Sequence, residues 1–208
     1  MAAPSQGKLL YHITRIENIP SIVNNGLLSR KELMERGLID FEDIADHQIL
    51  EKRDQYSDIL SSCVPFHFFV KNPFDGRVCK RYGSENMAII AIRRELYKTK
   101  ELYIIPSHPL DREHPEVLSY GDGIKRIRWD ILDNITDRDY HDEVVRKNCM
   151  AECLSPSPID VSDFFAIYVK NETAKNKLVE MLVKQCDFKL LDFLARHVRI
   201  DVAERMFP

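Results

Sequence analysis

The 208-residue sequence contains few glycines and no glycine-rich phosphate-binding loop. Its 7 glycines are scattered, so neither the G-x-G-x-x-G pattern of dinucleotide-binding folds nor the P-loop pattern occurs. Long apolar runs are also missing, and no stretch approaches the roughly 20 apolar residues of a membrane-spanning helix. These absences exclude two common nucleotide-binding loops and a membrane-spanning protein.

The five cysteines do not form a recognisable framework. Their number is odd and no Cys-x-x-Cys pair is present, which argues against both a disulfide scaffold and a zinc ribbon. Cys149 and Cys153 lie four positions apart and could be reactive thiols, but buried packing residues are the favoured interpretation. No metal site is predicted.

The composition is that of an ordinary globular protein, with 44% hydrophobic and 30% charged residues. We expect residues 1–208 to form a single domain. The first residues lack the apolar segment of a signal peptide, so we expect a cytoplasmic protein. The formal net charge of -3 argues against nucleic-acid binding by bulk electrostatics, although a local basic groove would still serve.

Hydrophobic patterns predict an α+β fold, because the predicted strands do not alternate regularly with helices. Strands are predicted at residues 8–14, 64–70, 87–92, 101–105, 150–154, 164–169 and 198–202. Helices are predicted at residues 16–25, 29–36, 129–135 and 173–194, the last broken near Asp187. The remaining long segments are predicted to be irregular or loop structure, namely 41–56, the stretch around Pro73, Gly76 and Gly83, and 106–123.

The most informative segment is 150–154, where Glu152 stands inside a short run of small and apolar residues. Burial of an ionised carboxylate costs several kcal/mol unless the group is paired or hydrogen-bonded. Glu152 is therefore a candidate cleft residue. The alternative is a glutamate at a strand end that faces solvent.

Five segments in a fixed order resemble the DarT family of DNA ADP-ribosyltransferase toxins. They span nearly the whole chain and are YHITRIENI (11–19) with Gly26-Leu27, Lys52-Arg53, CVPFHF (63–68), RWDIL (128–132) and MAECL (150–154). The resemblance implies an ADP-ribosyltransferase-like split central β-sheet with flanking helices and an NAD cleft between its halves. It also implies transfer of ADP-ribose from NAD to a base of single-stranded DNA, and a macrodomain antitoxin of the DarG type as partner.

The resemblance assigns catalysis to Glu152 and Arg53. Cleavage of the bond between nicotinamide and ribose develops positive charge on the ribose, which a carboxylate can stabilise. Glu152 could also take the proton from the attacking base nitrogen. Arg53 could hold the NAD pyrophosphate or polarise the acceptor base, whereas the alternative is an exposed helix charge.

The NAD contacts implied by the resemblance come from two strands. His12 and Thr14 lie two positions apart, so they share a strand face and could donate hydrogen bonds to a ribose or the carboxamide. One of Phe66 and Phe68 could stack on nicotinamide or adenine. For His12 and both aromatics, the alternative is a place in the core. Without a glycine-rich loop, NAD would be held by side chains and strand edges.

The segment 106–128 is the candidate nucleic-acid interface. It supplies cations for phosphates and an aromatic ring for stacking on an unpaired base, namely His108, Tyr120, Lys125, Arg126 and Arg128. The alternative is a solvated loop. This segment shares little with the family pattern beyond Ser107-His108, so the base, and DNA over RNA, stays open at this point.

Other functions remain as alternatives to DNA modification. The same cleft could modify RNA or protein, or the chain could be an NAD glycohydrolase that releases nicotinamide without an acceptor. A non-catalytic binding module is disfavoured, because such a module has no need of a buried acid.

Overall fold

A computed structural model describes residues 3–38, 41 and 43–208. The strands in this part of the chain are β1 (Leu9–Arg15), β2 (Val64–His67), β3 (Met87–Arg93), β4 (Tyr103–Ile105), β5 (Leu118–Ser119), β6 (Glu152–Ser155), β7 (Phe164–Val169) and β8 (Arg199–Val202). The helices are α1 (Ile19–Asn25), α2 (Arg30–Glu35), α3 (His47–Tyr56), α4 (Asp58–Ser62), α5 (Pro73–Tyr82), α6 (Tyr120–Arg126), α7 (Trp129–Leu132), α8 (Glu143–Asn148), α9 (Glu172–Gln185) and α10 (Phe188–His197).

The strands form one mixed sheet in the order β5-β4-β6-β2-β1-β3-β7-β8. Strands β1 and β3 pair along seven residues, whereas β1 and β2 share the single register pair Tyr11 and His67. The sheet is therefore two four-stranded halves that separate at the β1–β2 seam. The predicted α+β class with a split central sheet is confirmed.

The sheet is buried in the core because its central strands are apolar. Strand β3 is buried from Met87 to Ile92, as expected for a central strand with both faces covered. The largest cluster covers one face and includes Leu10, Phe66 and Ile90, and α9 packs Leu178 against it. A second cluster around Ile13 and Ile89 lies under α5. Strand β8 pairs in parallel with β7 and forms one edge of the sheet among the described residues.

Local signals fixed several helix ends as predicted. The Ser29 hydroxyl accepts a hydrogen bond from the Glu32 amide at 3.2 Å, which caps the start of α2. Gly26 ends α1 with φ of +82°, and a Cβ there would lie 3.2 Å from the Ile159 carbonyl oxygen. The break near Asp187 is also confirmed, because its side chain caps α10 at the Leu190 amide.

Three segments interpreted as irregular contain helices. In 41–56, of which Glu42 lies outside the described residues, α3 occupies the second half. The stretch around Pro73 is α5, whose Asn72 side chain caps two amides while proline occupies the first turn. The loop after β4 ends at β5 and is followed by α6. Proline and glycine misled these interpretations, because proline is favoured in a first helical turn.

Among the described residues, none of the helices combines the length and the apolar character needed to cross a bilayer. The same part of the chain contains no group of three or more His, Cys, Asp or Glu side chains arranged as metal ligands. Cys149 and Cys153 are unpaired and buried in the largest cluster, and burial raises the pKa of both thiols. Their surroundings are those of packing residues.

Candidate active site

Glu152 is the first residue of β6 and lies near the seam of the sheet. It pairs with His67 on β2 and with Ile105 on β4, so two neighbouring strands fix its backbone. The residue is only 3% exposed. Glu152 is therefore a buried acid that needs a charged or hydrogen-bonding partner, as predicted from its apolar neighbours.

That partner is Arg53 on α3, 99 positions earlier in the chain. Its Nη1 donates to Glu152 Oε1 at 3.0 Å and its Nη2 donates to Oε2 at 3.1 Å. The second nitrogen also approaches the Leu60 carbonyl oxygen at 3.4 Å. This two-point contact orients the carboxylate plane as well as its charge. The two predicted catalytic residues are thus in direct contact.

Glu152 is ionised at neutral pH despite its burial. Burial raises its pKa, but the charge and hydrogen bonds of Arg53, helped by His67 and His108, lower it further than burial raises it. The net pKa lies below the usual range of a glutamate. Arg53 uses two of the roughly four lone-pair sites of the carboxylate, so the others can accept hydrogen bonds from a ligand.

A cavity of about 440 Å³ opens over this ion pair. Its volume falls in the range of roughly 300–1,000 Å³ that small-molecule sites occupy. Six of its polar lining residues come from strands β1, β2 and β6, from α3 and from the loop after β4. They are His12, Thr14, Arg53, His67, His108 and Glu152.

His12 lies at the seam and ties the two halves of the sheet together. Its Nδ1 donates to the Pro65 carbonyl oxygen at 2.9 Å, where the β1–β2 ladder has separated. Burial lowers the pKa of His12 to about 4, so the ring is neutral at pH 7. Its only N–H is used by Pro65, so towards a ligand Nε2 can accept but not donate. The donor role predicted for His12 therefore needs correction to an acceptor role.

Thr14 lines the cavity two residues further along β1. Its hydroxyl oxygen accepts from Asn18 Nδ2 at 3.1 Å. The hydroxyl proton remains able to donate, so the donor role of Thr14 stays a prediction. A neighbouring acceptor and donor on one strand suit a sugar hydroxyl or a carboxamide.

One of Phe66 and Phe68 is predicted to line the pocket, and the structure places neither in the cavity lining. Phe66 is 0% exposed and pairs with Cys153, so it points away from Glu152 into the main core. Phe68 packs edge-on against Trp129 at 5.5 Å in the same cluster. An apolar strand does not reveal which of its faces meets a cleft, and the prediction chose the wrong face.

Two cavity residues that the sequence did not single out lie on the opposite face of β2 and on α5. His67 pairs with Glu152, and its Nδ1 donates to the Ala151 carbonyl oxygen at 3.2 Å. The Phe74 ring lies 6.1 Å from the His67 ring and lines the cavity. Alternation from Phe66 would have identified His67, but Phe74 required knowledge of α5.

The predicted nucleic-acid residues do not lie together. His108 lines the main cavity, and its Nδ1 accepts from the Leu110 amide at 3.0 Å, which leaves Nε2 as the N–H of the neutral ring. Tyr120 stacks on Tyr97 at 4.4 Å, and Lys125 and Arg128 pair with acids of their own segment. Neither Tyr120, Lys125 nor Arg128 is among the residues that line the two described cavities. Arg126 lines a second, smaller cavity.

Asp75 is a buried acid on α5, beside the cavity residue Phe74, and gives a first testable prediction. It is 4% exposed and accepts from the Lys71 amide at 2.8 Å, in the turn that leads to α5. Burial raises its pKa from 3.8 to about 6, against the opposing effects of His67 and nearby amides. The folded protein thus binds a proton that the unfolded chain has lost, so stability should fall as pH rises from about 4 to 6.

We expect Asp75→Asn to remove this pH dependence. The amide oxygen can still accept from Lys71, so the free energy of unfolding should rise by about 1–3 kcal/mol at pH 8 and change little at pH 4. Urea denaturation at both pH values measures this difference. An equal change at both would show that shape, rather than ionisation, decides the effect.

The split eight-stranded sheet has the fold of solved DarT structures. A solved DarT structure from Thermus sp. 2.9, in complex with ADP-ribosylated ssDNA, has a TM-score of 0.77 at 18% identity, covering 97% of this chain and 96% of that chain. The same Thermus protein in complex with NAD+ gives a TM-score of 0.73 at 15% identity, with 98% of each chain covered. At these identities the likeness shows the fold.

The chain belongs to the DarT family. The family model described as "ssDNA thymidine ADP-ribosyltransferase, DarT" matches residues 11–201, which confirms the family predicted from the five segments. A "DNA ADP-ribosyl transferase-DNA ADP-ribosyl glycohydrolase fusion protein" from Thermosipho africanus is 29% identical over 175 residues, 80% of this chain. The chain spans 44% of the length of that relative.

Proposed function

We propose that this chain transfers ADP-ribose from NAD to thymidine in single-stranded DNA and releases nicotinamide. The observation that carries the proposal is the Arg53–Glu152 pair, buried at the base of a cavity large enough for a dinucleotide-type substrate. The family description supplies the acceptor. Residues 1–208 would form one domain that contains the complete site.

The chemistry follows from the charge of Glu152. Nicotinamide leaves as a neutral molecule with the electron pair of the broken bond. Positive charge then develops on the ribose, and the ionised carboxylate stabilises it. A ring nitrogen of the base then forms the new bond to the ribose carbon and gives up its proton, for which Glu152 is the basic group at hand. Arg53 keeps Glu152 ionised and fixed in orientation while this happens.

The geometry supports a different assignment for the residues that bind the NAD pyrophosphate. Both terminal nitrogens of Arg53 are engaged by Glu152, so the guanidinium is not available as a separate two-point phosphate clamp. Arg77 on α5 and Arg146 on α8 also line the cavity, and no acid among the described residues pairs with either. We assign the pyrophosphate to these two arginines, with His12 and Thr14 at the ribose or the carboxamide.

The partner and the location remain proposals. Joined transferase and glycohydrolase units in the Thermosipho relative support a glycohydrolase partner for this chain, in keeping with the predicted macrodomain antitoxin of the DarG type. A cytoplasmic location remains a prediction that fits a DNA substrate.

Incubation with NAD and single-stranded oligonucleotides, one of which lacks thymine, tests the proposal. We expect a stable ADP-ribose adduct, detected by intact mass, on every thymine-containing strand and none on the strand without thymine. The same assay on RNA, on duplex DNA and on a protein mixture tests the alternative acceptors. Release of nicotinamide without an adduct on any acceptor would instead identify an NAD glycohydrolase.

A further inference from the structure

The turn between β2 and α5 contains a strained residue. Lys71 has a φ of +62° and is the one non-glycine residue with a positive φ in the part of the chain that the structure describes. A residue with a side chain rarely adopts this conformation and keeps it only where surrounding contacts hold it. The turn leads directly into α5, which places Phe74 and Arg77 in the lining of the active-site cavity. The backbone at Lys71 therefore helps to set the position of this wall of the cavity.

Two side chains bind the backbone of Lys71. The Lys71 N–H donates to Asp75 Oδ2 at 2.8 Å, within the first turn of α5. The Lys71 carbonyl oxygen accepts from the Tyr140 hydroxyl at 3.0 Å. Asp75 is local to the turn, whereas Tyr140 lies 69 positions further along the chain, between α7 and α8. Tyr140 therefore ties the strained turn to a distant part of the chain.

The backbone of Tyr140 makes a second contact that leads to the cavity. Its carbonyl oxygen accepts from Arg146 Nη1 at 3.2 Å, and Arg146 on α8 lines the cavity. Tyr140 is thus bonded through its hydroxyl to the turn that precedes Arg77 and through its carbonyl to Arg146. Tyr140 itself is not among the residues that line the two described cavities. It can act on a ligand in the cavity only through the residues that it holds.

We propose that Tyr140 is a positioning residue for the NAD pyrophosphate, which fixes the spacing between Arg77 and Arg146. Its hydroxyl keeps the turn at Lys71, and with it α5, in place relative to α8, so that both guanidiniums reach one pyrophosphate. Arginine side chains on separate helices bind one group tightly only where their backbones are already in position, because ordering them on binding costs free energy. The inference rests on the proposed function, since it takes NAD as the substrate and these two arginines as its pyrophosphate ligands.

Tyr140→Phe separates positioning from packing. Phenylalanine keeps the ring, which packs against the largest apolar cluster, and loses only the hydroxyl. We expect the KM for NAD, measured by nicotinamide release with excess thymine-containing oligonucleotide, to rise about three- to tenfold. The value of kcat should change less than about twofold, because the pyrophosphate is bound equally in the ground state and the transition state.

Two inhibitors show which part of NAD is affected. Inhibition by ADP-ribose, which contains the pyrophosphate, should weaken in Tyr140→Phe by the same factor as the KM rises. Inhibition by nicotinamide, which lacks the pyrophosphate, should not change. Tyr103→Phe is the matched control, because it removes a hydroxyl that donates to Glu101 outside both described cavities. This control should act as wild type in every measurement.

Lys71→Gly gives an independent test within the same turn. Glycine adopts a positive φ without strain, so the turn should then need the Tyr140 hydroxyl less. We expect the double variant Lys71→Gly/Tyr140→Phe to recover a KM for NAD within about twofold of wild type. A thermal melt of each variant shows whether the protein is folded at the assay temperature.

Four results would overturn the role of Tyr140. They are a wild-type KM in Tyr140→Phe, a kcat that falls as much as kcat/KM, nicotinamide inhibition that weakens equally, and no recovery with Lys71→Gly. If the wild type forms no adduct on any oligonucleotide and releases no nicotinamide, the proposed function fails and this inference with it. If the wild type modifies DNA and Tyr140→Phe matches it, only the role of Tyr140 is removed.

Discussion

Glu152→Gln should lower the rate of ADP-ribose transfer by at least about 10³-fold. The amide keeps the size of the side chain and an oxygen acceptor for Arg53, but it removes the negative charge that faces the developing positive charge on the ribose. Loss of one preorganised electrostatic contact at a reacting centre typically costs 10²–10³ in rate, and here the group lost is a full charge. Adduct formation on a thymine-containing oligonucleotide, followed by mass under single-turnover conditions, measures the effect.

The fold should survive the substitution. Glu152 pairs with His67 and Ile105 through backbone atoms, which the change leaves intact, and the remaining cost is that of a weakened hydrogen bond to Arg53, about 1–3 kcal/mol. Far-UV circular dichroism and a thermal melt show whether the protein is still folded. Glu180→Gln, an exposed acid on α9, is the matched control and should act as wild type. A folded Glu152→Gln protein with more than about a tenth of wild-type activity would remove Glu152 from the mechanism.

If the chain is a toxin, the same substitution should relieve toxicity. Expression of the wild type in a host without a matching antitoxin should stop growth, because modified thymidine would block copying of the strand. Expression of Glu152→Gln to the same level should not. Colony counts with equal protein levels by immunoblot measure this, and a harmless wild type would contradict the toxin interpretation.

The sequence identified Glu152 and Arg53 as catalytic candidates but did not predict their arrangement. Glu152 was identifiable because an acid inside an apolar run has an energetic cost that requires an explanation. The contact between Glu152 and Arg53 could not be predicted, because 99 positions separate the two residues. In addition, α3 has no buried residue, so its sequence lacks the apolar periodicity that indicates a helix. The family resemblance located Arg53, but only the fold shows that its guanidinium is engaged with the carboxylate.

Strand faces and helix starts account for most of the errors. Alternation along β2 places Phe66 and His67 on opposite faces, but the sequence did not show which of these faces meets the cavity. Pro73 was interpreted as a loop signal although proline is favoured in the first turn of a helix, where its missing N–H is not needed. That single error hid α5, and with it the contributions of Phe74 and Arg77 to the cavity.

Arg53→Ala should reduce the transfer rate at pH 7 by about 10²–10³-fold, and the loss should depend on pH. Without the guanidinium, burial becomes the dominant influence on Glu152 and raises its pKa above the usual range. Part of the population then carries a neutral Glu152 at pH 7. The activity of the variant should rise with pH as the carboxyl ionises. In the wild type the pKa of Glu152 lies below the usual range, so ionisation of this group should not change the rate between about pH 6 and 8.

A pH–rate profile from about pH 6 to 9 for wild type, Arg53→Ala and Arg53→Lys separates the two roles of Arg53. Lysine keeps the positive charge but loses the two-point contact, so Arg53→Lys should keep the wild-type profile at a lower rate. Removal of one partner of a buried pair costs about 3–5 kcal/mol, so a thermal melt must accompany each profile. If Arg53→Ala stays folded and its rate does not recover at high pH, Arg53 acts on the substrate directly. Recovery at high pH would mean that Arg53 serves the reaction chiefly by keeping Glu152 charged. In that case the double variant Arg53→Ala/Glu152→Gln should be no slower than Glu152→Gln alone, because the two residues act as one unit.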